Sequence, residues 1–523
     1  MALIANLFQR DERPLGRKVI RNVVFSGVRL LLVAPVPFLL VPFVLTRVGP
    51  NTYGTWSVFV AIIALASLTD LGLTGTVSKH VSEYYAQGDL ESLEHLLNSS
   101  VALYGLLASG LVVGLAAASG PLMQLLFRDS VVSVRELRPL FGLVLLLGAV
   151  NVLTLPFKSV MIGLQRLDLT TVLATLNVLL AAALTVAMLT LGWLLPGLVV
   201  ANFATAVAML FAHVWAVRRL VPQVRINPLR AEGREMRSIL TFSLQVFVTQ
   251  AAVTVHNQIE KVYLALLVGV VPTAWYGIAS EVGEKVKAIP SVILAPVMPA
   301  ASELDAWGDA DKLRVLHDRT HKYLAVVSMP VVLSAIAFSS RFVELWIGPQ
   351  YRPVATPLAA LVTAGYINLI TGPGYFIFMG QGILRPGVYS AVAGIVTNVL
   401  LSLALVYLFG FPGAIIGTCI ALLTGATVFL IMFHRRTGFP AAALARAFYL
   451  KPLIAGGAIV TGLALLWPAA NVGWGGLLAH VAVFFAAYGV ALILSKHFDT
   501  ADLTIVETLF PGLRIPRRWV RPT

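Results

Sequence analysis

Charge is scarce in this chain. Asp, Glu, Lys and Arg together make up 12% of its 523 residues, against about 25% in an ordinary soluble domain. So few charges cannot cover a water-facing globule of this size. A soluble enzyme, a disordered chain and a nucleic-acid binder are all poor fits. Cysteine is scarcer still. Cys419 is the only one, so no internal disulfide and no cysteine metal cluster can form, and redox compartment is not legible. No GxxxxGK[ST] run and no HExxH are present, which leaves no phosphate-cradling loop and no zinc-hydrolase signature. No cofactor is expected. His317 and His321 stand four apart, but Asp318, Arg319 and Lys322 surround them. The expectation there is a solvated helix face and no metal.

What is present is apolar. Hydrophobic residues make up 58% of the chain and the mean hydropathy is +0.87. A membrane helix needs about 20 apolar residues. Apolar runs fall near 22–45, 52–78, 97–119, 137–156, 170–191, 195–217, 239–269, 271–298, 322–340, 355–379, 388–409, 411–433, 452–469 and 473–495. The expected fold is therefore all-α and polytopic, with about 14 transmembrane helices. The first run is too long for a signal peptide's apolar core and reads as a retained membrane helix.

The basic residues orient the chain. With the N-terminus in the cytoplasm, cytoplasmic segments hold 28 of the 38 Lys and Arg and the opposite side holds six. Both termini are then cytoplasmic. Most of the net charge of +14 is topological and requires no nucleic-acid partner.

The chain also repeats itself at an offset near 220 residues. "VGPNTYG" at 48–54 returns as "VGVVPTAWYG" at 268–277, and "QGDLESLEHLLNSS" at 87–100 returns as "WGDADKLRVLHDRT" at 307–320. The passages from Gly163 and Leu195 return from Gly380 and Phe411. The order is kept over six helices, an even number, so the two halves are a parallel repeat. The expected organisation is an N-tail over 1–21, an N-lobe over 22–217 and a basic linker over 218–238. A C-lobe over 239–433, two appended helices over 452–495 and a C-tail over 496–523 follow. Transporters with such repeats place the substrate path between the halves.

Ionisable residues inside membrane helices point to function. Arg29 lies near mid-bilayer in the first run, where a guanidinium suits bidentate recognition of phosphate. A salt bridge to an acid on another helix is the plainer alternative. The seventh run carries Gln250, His256, Asn257, Glu260 and Lys261, with Gln250, Asn257 and Lys261 on one stripe. The eighth carries Glu281, Glu284, Lys285 and Lys287, either lining a watery cavity or neutralising one another as Glu281–Lys285 and Glu284–Lys287. Glu260, Glu281, Glu284 and His256 are candidates for a coupling ion or proton. Asp70, at the end of the second run, is expected to be structural.

At this point the sequence is similar to a known family. "RVGPNTYGTWSVFVAIIALASLTDLGLTGTVSKHVSEYYAQGD" from Arg47 and "NQIEKVYLALLVGVVPTAWYGIASEVGEKV" from Asn257 resemble bacterial polysaccharide biosynthesis proteins. These are the O-antigen and exopolysaccharide flippases of the multidrug/oligosaccharidyl-lipid/polysaccharide (MOP) superfamily. The resemblance covers about residues 20–435. Where the family pattern has Asp before Lys, Glu260 stands here. It implies twelve core helices in two lobes with two extra helices, alternating access, and a cargo of polyprenyl-pyrophosphate-linked oligosaccharide. It also implies that Arg29, Lys261 and Lys285 meet the pyrophosphate. A bacterial inner membrane, membrane lipids and a polysaccharide polymerase as neighbour are expected with it. The rivals are a MATE-like multidrug/cation antiporter, a membrane glycosyltransferase or polymerase, and a non-transporting scaffold. Helix 1 lacks the acid an antiporter would carry, and no long outer loop offers catalytic acids.

Overall fold

The computed structural model describes residues 35–70, 72–233, 236, 251, 254–439, 441–467, 472–500 and 502. Among them there are helices and turns and no strand. Helices α1 (Pro35–Ala66), α2 (Leu73–Gln87), α3 (Leu90–Ala117), α4 (Ser119–Leu126), α5 (Val134–Gly163), α6 (Leu167–Thr190) and α7 (Leu194–Leu220) form the first series. Then come α8 (254–267), α9 (Val270–Ser291), α10 (Val297–Ala306), α11 (Ala310–Ala337), α12 (Ser339–Ile347), α13 (Ala355–Leu369), α14 (Gly372–Gly380), α15 (Arg385–Phe409) and α16 (Phe411–Thr437). Helices α17 (Leu450–Leu466) and α18 (Trp474–Leu494) close the series.

Eleven stretches among the described residues are long and apolar enough to cross a membrane. The protein is an all-α, multi-pass membrane protein. Of the fourteen runs, the seventh is described only in part and the eighth, α9, carries four charges in its second half. The first and second runs meet in α1, which bends at Gly49 (φ 74°). The second run does not continue to residue 78 as one span: a 3-10 turn over Ser67–Asp70 separates it from α2. Arg29 and Gln250 lie outside the described residues.

The repeat is visible in local geometry. Gly88 (φ 74°) and Gly308 (φ 70°) both adopt the left-handed conformation that favours glycine. The next residue in each case caps a helix: Asp89 accepts from the Ser92 N–H and Asp309 from the Lys312 N–H, both at 3.0 Å. Gly163 ends α5 against α2, where a Cβ would lie 2.6 Å from the Ser78 carbonyl oxygen. Gly380 ends α14 against α10, where a Cβ would lie 2.6 Å from the Met298 carbonyl oxygen. Small residues let membrane helices approach this closely.

Contacts divide the chain into two compact units, split at Ala274 and Trp275 within α9. Among the described residues, the first has two apolar cores. One gathers Leu96, Tyr104, Phe157 and Val160, and the other Phe59, Phe127, Phe141 and Val199. Asn51 pins the loop between α4 and α5, donating to the Asp129 carbonyl at 3.0 Å and accepting from the Val131 N–H at 2.8 Å. In the second unit, Phe378, Phe429 and Phe433 form an aromatic core between α14 and α16.

Candidate functional site

Helix α9 exposes charge where its neighbours in sequence are apolar. Glu281, Glu284 and Lys285 are exposed and Lys287 is half-buried, while Val282 and Gly283 between them are buried. Lys285 lies 15 residues past Val270, roughly 22 Å along the helix. Lys287 and Glu284 form an ion pair at 2.5 Å. Glu281 and Lys285 do not pair: no ion pair within 4.0 Å involves either among the described residues. Their favourable spacing is thus left unused, and both side chains turn to open space.

Helix α8 is split by burial. Glu260 is fully buried, whereas His256, Asn257 and Lys261 are half-buried. The Lys261 ammonium donates to Gln258 Oε1 at 3.0 Å. Asn257 and Lys261 are one turn apart on the accessible side, so an amide and a cation share a stripe. Glu260, one residue away, lies on the packed side.

Asp70 serves the fold. Its Oδ1 accepts from the Thr74 N–H at 3.1 Å and the Thr74 hydroxyl at 2.8 Å, and from the Tyr104 hydroxyl. It therefore caps α2 and binds it to α3.

His317 and His321 are not on a solvated face. They are 1% and 3% exposed. The end of α16 and the segment after it fold over them: His317 stacks on Phe433 at 5.2 Å, and Tyr449 OH lies 2.7 Å from His321 Nδ1. Their Nε2 atoms are 3.1 Å apart, one donating to the other. They border a cavity of about 280 Å³ with Phe429, Phe433, His434 and Tyr449. No group of three metal-ligating side chains occurs among the described residues. Charge beside them does not mean solvent: Lys322 is covered too, and Asp318 and Arg319 are half-buried. Lys322 is 4% exposed. It meets Asp499 at 2.8 Å and also Asp502, and Arg319 meets the same two acids at 2.6 and 3.0 Å. The acids lie 177 or more residues downstream, a separation that helical periodicity does not reveal.

The basic linker is pinned as well as charged. The Asn98 amide donates to the Arg225 carbonyl at 2.9 Å, and Asn98 Oδ1 accepts from the Asn227 N–H at 2.7 Å. Glu94 accepts from the Arg225 N–H at 2.8 Å.

The arrangement offers charged and amide side chains on otherwise apolar helices, which can bind a polar head group. Among the described residues it includes no nucleophile–base pair. The family model for polysaccharide biosynthesis proteins matches residues 19–304, more than half of the chain. The chain belongs to this family. A similar protein is the "Probable flippase AglR" of Haloferax volcanii, 19% identical over 392 residues, which are 73% of this chain and 77% of that one. The fold matches "Lipid II flippase MurJ, inward closed conformation" with a TM-score of 0.71 at 13% identity, over 93% of this chain and all of that one. It also matches an inward-facing MATE multidrug transporter of the MOP superfamily, with a TM-score of 0.58 at 17% identity, over 81% and 99% of the two chains. The chain is thus a member of the polysaccharide biosynthesis family with the fold seen in these flippase and transporter structures.

Proposed function

We propose that the protein flips a polyprenyl-pyrophosphate-linked oligosaccharide across a bacterial inner membrane, for O-antigen or exopolysaccharide assembly, with both termini in the cytoplasm. The observation that carries this reading is the open charged face of α9, joined to membership of the polysaccharide biosynthesis family. A charged side chain exposed at depth in a membrane helix is costly against lipid tails and is tolerated where water or a polar ligand meets it. A sugar head group supplies hydroxyls for amides and carboxylates, and a pyrophosphate supplies oxygens for cations.

The roles divide by residue. Arg29, Lys261, Lys285 and Lys287 offset the charge of the pyrophosphate as it leaves water, and Gln250 and Asn257 bind hydroxyls. Glu281, Glu284, Glu260 and His256 are the candidates for a coupling ion. The polyprenyl tail stays in lipid, the two lobes move by alternating access, and a polysaccharide polymerase takes the product.

The test is surface polysaccharide in cells that carry Arg29→Ala or Lys285→Ala at unchanged protein level. Loss of polysaccharide with accumulation of the lipid-linked unit supports the reading. Normal polysaccharide in both variants sinks it.

A further inference from the structure

Helix α5 opens on one face in its first half and on the other in its second. Early in the helix, Gly142 and Leu146 are exposed. Late in the helix, Phe157, Val160 and Met161 cover that side, each at most 5% exposed. The opposite face does the reverse. Val144 and Leu147 are 1% and 3% exposed, and Gly148 is buried, whereas Asn151 and Lys158 are exposed, with Thr154 between them half-buried. Asn151 and Lys158 are two turns apart, so they lie within about 20° of one another around the helix. A face turned to lipid stays open, and apolar, along a whole span. This face is closed for half the helix and polar where it opens. Asn151 lies 12 residues before Gly163, roughly 18 Å from the helix end. An amide at that depth against acyl chains leaves its donors and acceptor unmet. The opening therefore faces water.

The second repeat carries the same residues at the same spacing, with Asn368 half-buried where Asn151 is exposed. Gly148, Asn151, Pro156 and Gly163 return as Gly365, Asn368, Pro373 and Gly380, each 217 residues on. At Gly148 an added Cβ would touch the Ala66 Cβ at 3.4 Å, and at Gly365 it would touch the Lys287 Cδ at 3.7 Å. The lysine stem of α9 thus crosses α13 one turn from Asn368. Each repeat thus has one amide with a lysine on or against the same helix: Lys158 lies two turns along α5 from Asn151, and Lys287 of α9, paired with Glu284, packs its stem against α13.

We infer that Asn151 with Lys158 is a water-facing head-group subsite of the first repeat, and Asn368 with Lys287 its counterpart in the second, each suited to a phosphorylated sugar. The inference rests on the proposed function and adds residues to it. An ammonium meets phosphate oxygens as a compact charge, and an amide both donates to and accepts from sugar hydroxyls.

The test uses the full chain with Cys419→Ser, reconstituted in vesicles. Asn151→Cys, Asn368→Cys and, as a lipid-facing control, Leu146→Cys are treated with a charged, membrane-impermeant thiol reagent. Binding of undecaprenyl pyrophosphate is measured for the parent, Lys158→Gln and Lys158→Arg, each checked for an unchanged melting temperature. Cysteines at 151 and 368 should label at least about tenfold faster than at 146, and the lipid should slow them. Lys158→Gln should weaken binding about tenfold, with Lys158→Arg retaining it. Labelling at 151 no faster than at 146 overturns the inference. So does equal binding by Lys158→Gln when the parent binds the lipid, and the proposed function then stands. If the parent itself does not bind, the proposed function falls and the head-group assignment with it.

Discussion

The Tyr104 hydroxyl donates to Asp70 Oδ1 across 34 residues of sequence, and Tyr104 is fully buried. This bond ties α3 to the turn that ends α1, and the same carboxylate caps α2. Tyr104→Phe removes this bond and a 3.3 Å contact with the Thr74 hydroxyl, and should cost about 1–2 kcal/mol. Asp70→Ala leaves a buried hydroxyl and the first turn of α2 unmet and should cost more. Thermal unfolding in mild detergent ranks the two. A more stable Asp70→Ala would show that the carboxylate is kept for something other than the fold.

The repeat makes a paired prediction. Gly163→Ala and Gly380→Ala each push a Cβ to 2.6 Å from a backbone carbonyl of the facing helix. Each should destabilise by about 1–3 kcal/mol through overpacking. Gly110, within α3, has nothing within 4 Å, so Gly110→Ala is the control and should be neutral or slightly stabilising. Melting temperatures of the three variants decide it, and equal behaviour would deny that the two glycines do the same work.

Acid should loosen the C-terminal segment in two steps. Burial, with Lys322 and Lys451 nearby, pushes His497 down to about 4. Its folded-state value is below the unfolded one, so its contribution to stability is full above about 6.5. It is lost as pH falls from there toward 4. Burial favours the neutral form of Asp499, but hydrogen bonds from Lys322 and Arg319 outweigh this and hold it at about 2. Its contribution is full above about 3.9 and is lost as pH falls through 2. His497→Gln should remove the upper step, seen as a smaller drop in melting temperature between pH 7 and 5. An unchanged drop would place the sensitivity elsewhere.

The same cluster gives a larger effect. Asp502 is 5% exposed and Lys322 4%. Asp502→Ala strips one carboxylate from the buried Lys322 and the half-buried Arg319 and should cost about 3–5 kcal/mol. Pairing it with Lys322→Met should recover part of that loss. Urea melts of the single and double variants measure the recovery, and its absence would mean the ion pair is not what holds the segment.

Much of the fold was legible because lipid imposes a simple code. Apolar length marked the spans, and the Gly-Asp pairs at 88–89 and 308–309 marked the repeat. The glycine, asparagine and proline spacing from Gly148 to Gly163 and from Gly365 to Gly380 extends the repeated passages that start at Gly163 and Gly380 toward their N-terminal side. The histidine pair departs from the expected solvated face because charge nearby in sequence does not imply solvent exposure. What covers His321 is Tyr449, 128 residues away, and what covers Lys322 is Asp499 and Asp502. Such contacts depend on how helices close on one another, which periodicity along one helix does not encode.

The central claim is tested most directly by reconstitution. Purified protein in liposomes is given a fluorescent undecaprenyl-pyrophosphate-linked sugar, and the fraction reachable by an impermeant quencher is followed in time. The account predicts movement between leaflets that is lost in Arg29→Ala and reduced in Lys285→Ala. No movement above protein-free liposomes, together with proton- or sodium-driven export of a cationic drug by the same preparation, would contradict it.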